Sequence, residues 1–323
     1  FAMAMPRGSG KALALDTPLP TPSGWTTMGD VAPGDWLFDE CGQACPVLAV
    51  SPVMLDRPCY EVRFSDGERI VCDADHLWTV EDRYSRRNPL TLATRDMLGR
   101  VDLPESRDRA ARRYRVRLSR PLQLPCAELP IEPYALGVWL GNGTCSNAAV
   151  TLFEEDTQEI IDHIEGGSET ASRRNYALPS RADAVVLTRT HANRTSFQGR
   201  LRQLGLLGNK HIPRSYLRAS WQQRLCLLQG LMDTDGSVDA LGHCEITLKQ
   251  NALADDFGEL LSSLGIKFGC AERMVAFEGK LYGPYRRFHF VVYAGDDAIR
   301  LERKHRRLRP RPRTRPLSEA RHI

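Results

Sequence analysis

At 323 residues the chain has room for two domains, and its 42% hydrophobic and 26% charged residues with a net charge of +4 give an ordinary globular balance. No apolar run reaches the roughly 18 residues of a membrane span, and the N-terminus lacks the charged-then-apolar layout of a secretory signal. The nine cysteines are scattered; only Cys41 and Cys45 lie close together, so no zinc site is completed and reduced, intracellular thiols are expected.

MPRGSGK (5–11) has the front of a phosphate-binding loop, but Lys11 is followed by Ala12 instead of Ser or Thr, and prolines soon after Asp16 block the helix that should follow. This excludes a working P-loop ATPase. Residues 12–80 read as β structure. DWLF, VLAV, YEVRF and RIVCD are short and rich in β-branched and aromatic residues, and the turn signals PSG, APGD and SDG separate them. Residues 81–130 are mixed and proline-punctuated. Within them, RDRAARRYRVRLSR (107–120) is a basic block, and RLERKHRRLRPRPRTR (300–315) is another. Such blocks in a near-neutral chain point to a polyanion partner, with a solvated charged face as the alternative.

From residue 131 the periodicity changes. IEPYALGVWLGNG reads as an apolar helix, AAVTLF as a strand, EDTQEIIDHI as a helix, AVVLTR as a strand and FQGRLRQLGLL as a helix. The order then recurs. QQRLCLLQGLMDTDG is an apolar helix, CEITLK a strand, NALADDFGELLSSLG a helix, and KFGCAERMVAF with YRRFHFVVYAG two strands. This is an internal repeat, offset by 93 residues from Asn142 to Asp235.

YALGVWLGNG (134–143) and LLQGLMDTDG (227–236) superimpose, each with a mid-helix glycine, Gly137 or Gly230. Glycine inside a helix costs about 1 kcal/mol against alanine. Paid twice at one position, that cost predicts two helices packed backbone to backbone, with Asn142 and Asp235 meeting at the base of the pair. Two carboxylates there would hold Mg²⁺, which takes a few carboxylates together with waters and phosphate oxygens. Such an ion activates water for phosphodiester hydrolysis.

The two segments resemble the paired LAGLIDADG motifs of single-chain homing endonucleases. The resemblance implies two αββαββα halves, a monomer with pseudo-two-fold symmetry, and a saddle over double-stranded DNA. It also implies metal binding at the motif helix ends. Asp235 matches one metal-binding aspartate, and Asn142 stands where the other is expected. Asparagine is nearly isosteric with aspartate but neutral, so one strand-cutting centre is expected to be weakened, by design or by natural decay. GNKHIP (208–213) resembles a further shared block, which makes Lys210 a candidate basic residue of the site. Lys249 is another. Arg273, Lys280, Arg286 and Arg287 on the second-repeat hairpin, with Arg113 and Arg115 in the first basic block, are the candidate DNA contacts.

ALALDTPLPTPSGWTTMGDVAPGDWLFDE (12–40) resembles the first block of an intein, a protein-splicing element that often carries such an endonuclease. MPRGSGK then becomes the tail of a P-loop host protein, a terminase-type ATPase among the options. RIVCDADHLWTV (69–80) resembles the intein strand with the Thr-x-x-His signature, Asp73 standing at the threonine position. His76 would assist breakdown of the Lys11–Ala12 amide as a general acid. Ala12 offers no nucleophile. Either a cysteine has been replaced, or the chain is of the class that lacks a starting nucleophile, which the position of Trp78 favours. The chain ends at LSEARHI without the C-terminal intein blocks or a late cysteine, so splicing is expected to be inactive and an exposed sheet edge is expected.

The sequence therefore implies a multi-domain protein in four parts. Residues 1–11 are the host remnant and 12–130 the N-terminal part of an all-β Hint-like splicing domain. Residues 131–308 are an α/β LAGLIDADG endonuclease of two αββαββα repeats, and 309–323 a basic linker to missing splicing strands. The expected activity is cleavage, dependent on Mg²⁺, of the host gene where it lacks the intein, inside a prokaryotic cell or encoded by a phage, without a membrane partner. Two alternatives stand beside it: a DNA-binding protein that nicks or does not cut, and a splicing element with a passive nuclease half.

Overall fold

The computed structural model describes residues 12–65, 67–85, 89–101, 112–165, 169–174, 182–189, 196–249, 252–277, 280–293 and 297–322. The loop remnant at 1–11 and residues 107–111 of the first basic block lie outside them. The chain divides into two compact units, Phe1–Gln123 with Pro312–Ile323, and Leu124–Arg311.

In the first unit, β1 (Pro18–Thr21) and β2 (Gly24–Thr27) form one hairpin, and β3 (Trp36–Phe38) and β4 (Ala44–Pro46) another. They are followed by β5 (Cys59–Phe64), β6 (Arg69–Asp73), β7 (Leu77–Asp82), β8 (Leu90–Ala93), the one-turn helix α1 (Thr94–Met97) and β9 (Tyr114–Arg117). Alternation sets the buried face. On β7, Trp78 and Val80 are buried while Thr79 is exposed, and with Val62, Phe64, Met97, Tyr114, Val116 and Leu317 they form the core. VLAV (47–50) is not a strand. Val47 donates its N–H to Asp35 O at 2.7 Å, but Leu48 and Val50 are exposed and no ladder partner holds the segment.

The second unit contains α2 (Pro133–Asn142), β10 (Ala149–Phe153), α3 (Glu154–Glu165), β11 (Glu169–Arg174), β12 (Ala182–Arg189), α4 (Phe197–Gln203) and α5 (Arg214–Leu217). It continues with α6 (Trp221–Thr234), β13 (Ser237–Val238), β14 (His243–Lys249), α7 (Ala252–Ser263), β15 (Phe268–Phe277), β16 (Lys280–Val291) and α8 (Glu302–His305). The second series repeats the first. One sheet runs β10-β12-β11, the other β13-β14-β16-β15, and a bridge from Gly143 to Val150 stands where β13 pairs with β14.

The last strand, β17 (Thr314–His322), returns to the first unit. It pairs antiparallel with β5 and β9 inside a six-stranded sheet, β6-β5-β17-β9-β7-β8. The stretch 309–323, expected as a linker, thus contains an interior strand. Its arginines and prolines hid the pattern, and buried Leu317 anchors it.

Candidate functional site

The two motif helices are built to pack closely. At the start of α2, Glu132 accepts the Ala135 N–H at 2.8 Å and Pro133 occupies the first turn. Every residue from Pro133 to Leu140 is buried. A Ser220–Gln223 capping box opens α6. The helices meet at Gly137 and Gly230: a Cβ on Gly137 would lie 3.0 Å from the Gly230 Cα. Tyr134 Oη crosses the pair and donates to Asp233 at 2.8 Å.

This packing brings the C-terminal ends together. A Cβ on Gly141 would meet Thr234 Oγ1 at 2.1 Å and Asp235 Cβ at 3.5 Å. Asn142 and Asp235 are both solvent-exposed, and the Asp235 carboxylate makes no hydrogen bond or ion pair among the described residues. Its neighbour Asp233 is different. It is buried and accepts from Tyr134 Oη and from the backbone N–H groups of Arg300 and Leu301, and burial raises its carboxyl pKa. Of the two aspartates in Asp-Thr-Asp-Gly, Asp233 is internal structure and Asp235 faces out.

Two lysines close the helix ends. Lys210 Nζ donates to Leu140 O at 2.9 Å and Gly141 O at 3.3 Å, over the Trp139 ring. Lys304 Nζ donates to Met232 O, Asp233 O and Gly236 O at 2.7–2.9 Å. Cations suit these carbonyl-rich ends. Burial lowers both pKa values, that of Lys304 to about 8. Desolvation raises the Asp235 carboxyl pKa, with the charges of Lys210 and Lys304 only partly opposing it. Lys249 does not join them: it is exposed on β14. The sequence held a signal for Lys304. Lys-His occurs at 210–211 and again at 304–305, 94 residues on, beside the motif offset of 93. Among the described residues no three His, Cys, Asp or Glu gather into a metal cluster.

In the first unit the four expected splicing residues lie along one path. Ala12 O accepts the Asp73 N–H at 3.1 Å, and Leu13 bridges to Cys72. The Asp73 carboxylate pairs with Arg57 at 3.0 Å. His76 is buried, with its ring edge-on to Trp78 at 5.0 Å. Trp78 Nε1 donates to Thr94 Oγ1 at 3.0 Å, and Cys72 Sγ lies 3.3 Å from the same oxygen. Burial raises the Cys72 thiol to about 11, so it stays protonated. Arg57, Cys72 and Thr94 are members of this cluster that motif reading missed: Cys72 lies inside the motif strand but is not one of its signature positions, and Arg57 and Thr94 arrive from a loop and from α1.

No protein-family model matches the chain. The replicative DNA helicase DnaB of Mycobacterium intracellulare is 43% identical over 277 residues, 80% of this chain and 43% of that protein. The Msm DnaB1 intein splicing domain, solved with zinc bound, is 55% identical over 26% of this chain and 62% of its own, with a TM-score of 0.24. The MchDnaB-1 intein (N145AA) is 44% identical over 32% of this chain and 72% of its own, TM-score 0.25. The chain belongs to the intein family. Sequence identity decides this; the low whole-chain scores add nothing. I-DmoI, solved in complex with DNA and calcium, is 14% identical over 49% of this chain and 81% of its own, with a TM-score of 0.31. The intein spans less than half the length of the curated helicase it matches.

The second sheet of the intein sorts the expected DNA contacts by face. Strand register aligns Leu248 with Arg286 and Glu272, and Thr247 with Arg287 and Ala271. Leu248 and Phe288 point to the helix-covered side, where Phe257 of α7 packs on Phe288. Arg286 shares that side and pairs with Asp255 of α7, so it leaves the outer face. Lys249, Arg273, Arg287 and His289 share the other face, with Arg287 held by Glu245. Lys280 is exposed where β16 begins. Arg113 is engaged by Asp82 at 2.9 Å and lies over the Tyr84 and Tyr114 rings, whereas Arg115 is exposed on β9. The second basic block is also largely committed within the unit: Arg300 to Gln229, Arg303 to Asp156, Arg306 to Glu302 and Arg307 to Val238 O.

Proposed function

We propose that the unit Leu124–Arg311 of this intein is an endonuclease that cuts double-stranded DNA at the host-gene site lacking the intein, using Mg²⁺. The observation that carries the reading is the glycine contact between α2 and α6, at whose shared base Asp235 and Asn142 stand between two lysines. The Asp235 carboxylate makes no hydrogen bond or ion pair among the described residues, and carboxylate, amide and phosphate oxygens are the hard donors Mg²⁺ prefers. The residues present fit that ion. When bound, it would supply an activated water and charge neutralisation at the scissile phosphate.

The chain's own residues divide the remaining work. Asp235 gives the anionic anchor. Asn142 gives a neutral oxygen, which makes its centre the weaker one. Lys210 and Lys304 hold positive charge beside the phosphate. Arg273, Arg287, Lys249 and Lys280 contact the duplex, and the protein acts as a monomer whose halves are related by a pseudo-two-fold axis. No described helix is long and apolar enough to cross a membrane, and we take the setting to be intracellular. In the splicing unit, Ala12 has no side chain to attack the Lys11 carbonyl, so residue 12 cannot start an acyl shift. His76, Asp73 and Trp78 would line that junction.

Asn142 also supports a second reading, in which the protein binds its site and only nicks it. The test is strand-resolved cleavage, with Mg²⁺, of a duplex encoding the uninterrupted Met5–Lys11 loop and its continuation. The chain is run beside its Asn142→Asp and Asp235→Asn variants. We expect the parent to nick, Asn142→Asp to cut both strands, and Asp235→Asn to lose at least ~100-fold, since even outer-shell partners of a metal are worth ~10–100-fold. Absence of both cutting and a binding shift in all three would refute the assignment.

A further inference from the structure

Each lysine at the base of the motif helices caps the helix of its own half but sits in a segment docked on the opposite half of the unit. Lys210 caps α2 of the first half. Two residues on, the Ile212 N–H donates at 2.8 Å to Asp256 of α7 in the second half. Arg218, after α5, reinforces the contact by pairing with Glu259 of α7 at 2.7 Å. Lys304 caps α6 of the second half. Its neighbour Arg303 grips both carboxylate oxygens of Asp156 in α3 of the first half. The Glu302 N–H donates at 2.8 Å to Glu159, on the same helix. The Asp156 side chain is only 6% exposed while that of Arg303 is 47% exposed, so a buried carboxylate is held by a half-solvated guanidinium.

We infer that Asp156 and Asp256 are positioning residues that act crosswise, Asp156 setting Lys304 and Asp256 setting Lys210. Neither carboxylate bonds to the lysine itself; each fixes the backbone or side chain one or two residues away. The two centres are therefore not separable modules: a lesion in α3 of the first half reaches the lysine that caps the second. That these lysines serve cleavage rests on the function proposed above. The crosswise docking does not.

The experiment uses the full chain and two readouts. In the first, trace acetic anhydride labels the lysines, and mass spectrometry compares Lys210 and Lys304 in Asp156→Asn and Asp256→Asn. A charge-assisted hydrogen bond is worth enough to change exposure roughly tenfold. Asp156→Asn should raise labelling of Lys304 by that factor and leave Lys210 within about twofold, as expected of independent sites. Asp256→Asn should do the reverse. Equal changes at both lysines, or none, overturn the proposal. If Asp156→Asn does not fold, Arg303→Lys keeps the charge, loses the two-point grip and should give the same selectivity at lower amplitude; its failure to do so counts equally against the idea. The second readout places both variants in the Asn142→Asp background and measures the ratio of the two strand cuts, which should shift in opposite directions. If that background cuts nothing, the nuclease reading fails, while the labelling still decides the docking.

Discussion

A Cβ on Gly230 would stand 2.2 Å from the Tyr134 carbonyl oxygen, and one on Gly137 would stand 2.3 Å from the Leu227 carbonyl oxygen. Each glycine therefore faces the other helix's backbone, where no side chain can rotate away. Alanine gains about 1 kcal/mol of helix propensity at such a position. Forcing buried elements apart costs about 1–3 kcal/mol or more, and two close contacts with rigid backbone put these sites at the upper end. Gly137→Ala and Gly230→Ala should each lower the melting temperature by several degrees. An unchanged or raised melting temperature would show that the helices are not in backbone contact.

Lys304 gives the fold a pH dependence of known sign. Its folded pKa is lowered from 10.5 to about 8, chiefly by burial. Between those values the unfolded chain holds a proton that the folded chain has released. Stability from this group therefore rises as pH increases through the window, by about 3 kcal/mol at most. Denaturant unfolding of the parent and of Lys304→Met from pH 7.5 to 10 should diverge across it, with the parent gaining stability relative to the variant. Parallel curves would contradict the burial of the charge.

Thr94 is the polar hub of the first unit's core. Its hydroxyl accepts from Trp78 Nε1 at 3.0 Å and donates to His76 O at 3.2 Å. Thr94→Val keeps the shape and leaves the buried indole donor unsatisfied, at a cost of about 1–3 kcal/mol. By NMR, hydrogen exchange of the Trp78 indole N–H should speed up about tenfold or more. Exchange at the parent's rate would mean that the hydroxyl does not hold the tryptophan.

The two faces of the second sheet predict different salt responses. Lys249 and Arg273 share the outer face, while Arg286 is turned toward Asp255 of α7. Lys249→Ala and Arg273→Ala should each reduce the slope of log K against log salt by about 1. Arg286→Ala should leave the slope unchanged and lower stability slightly, as loss of a partly exposed pair does. Equal slopes for all three would remove the sheet face as the site of contact.

Local chemistry made much of this intein legible in its sequence. The apolar runs of α2 and α6 and their paired glycines are short-range signals, and each was read where it occurs, whereas the caps at Glu132 and Ser220 were seen only in the structure. The reach of the motif to Asn142 and Asp235 followed from two glycines at one helical position. Tertiary pairing decided the rest. Arg286 falls on the helix side because a strand's register, not its composition, chooses the face. Arg113 belongs to Asp82, and Arg303 to Asp156, because the partners arrive from 31 and 147 residues away. Residues 314–322 become an interior strand because β5 and β9 leave a gap that only a distant segment fills. Lys304, not Lys249, completes the helix ends because the fold carries it to the carbonyl-rich end of α6; the repeated Lys-His spacing hints at the pairing with Lys210, but the contact itself is made only by the tertiary structure.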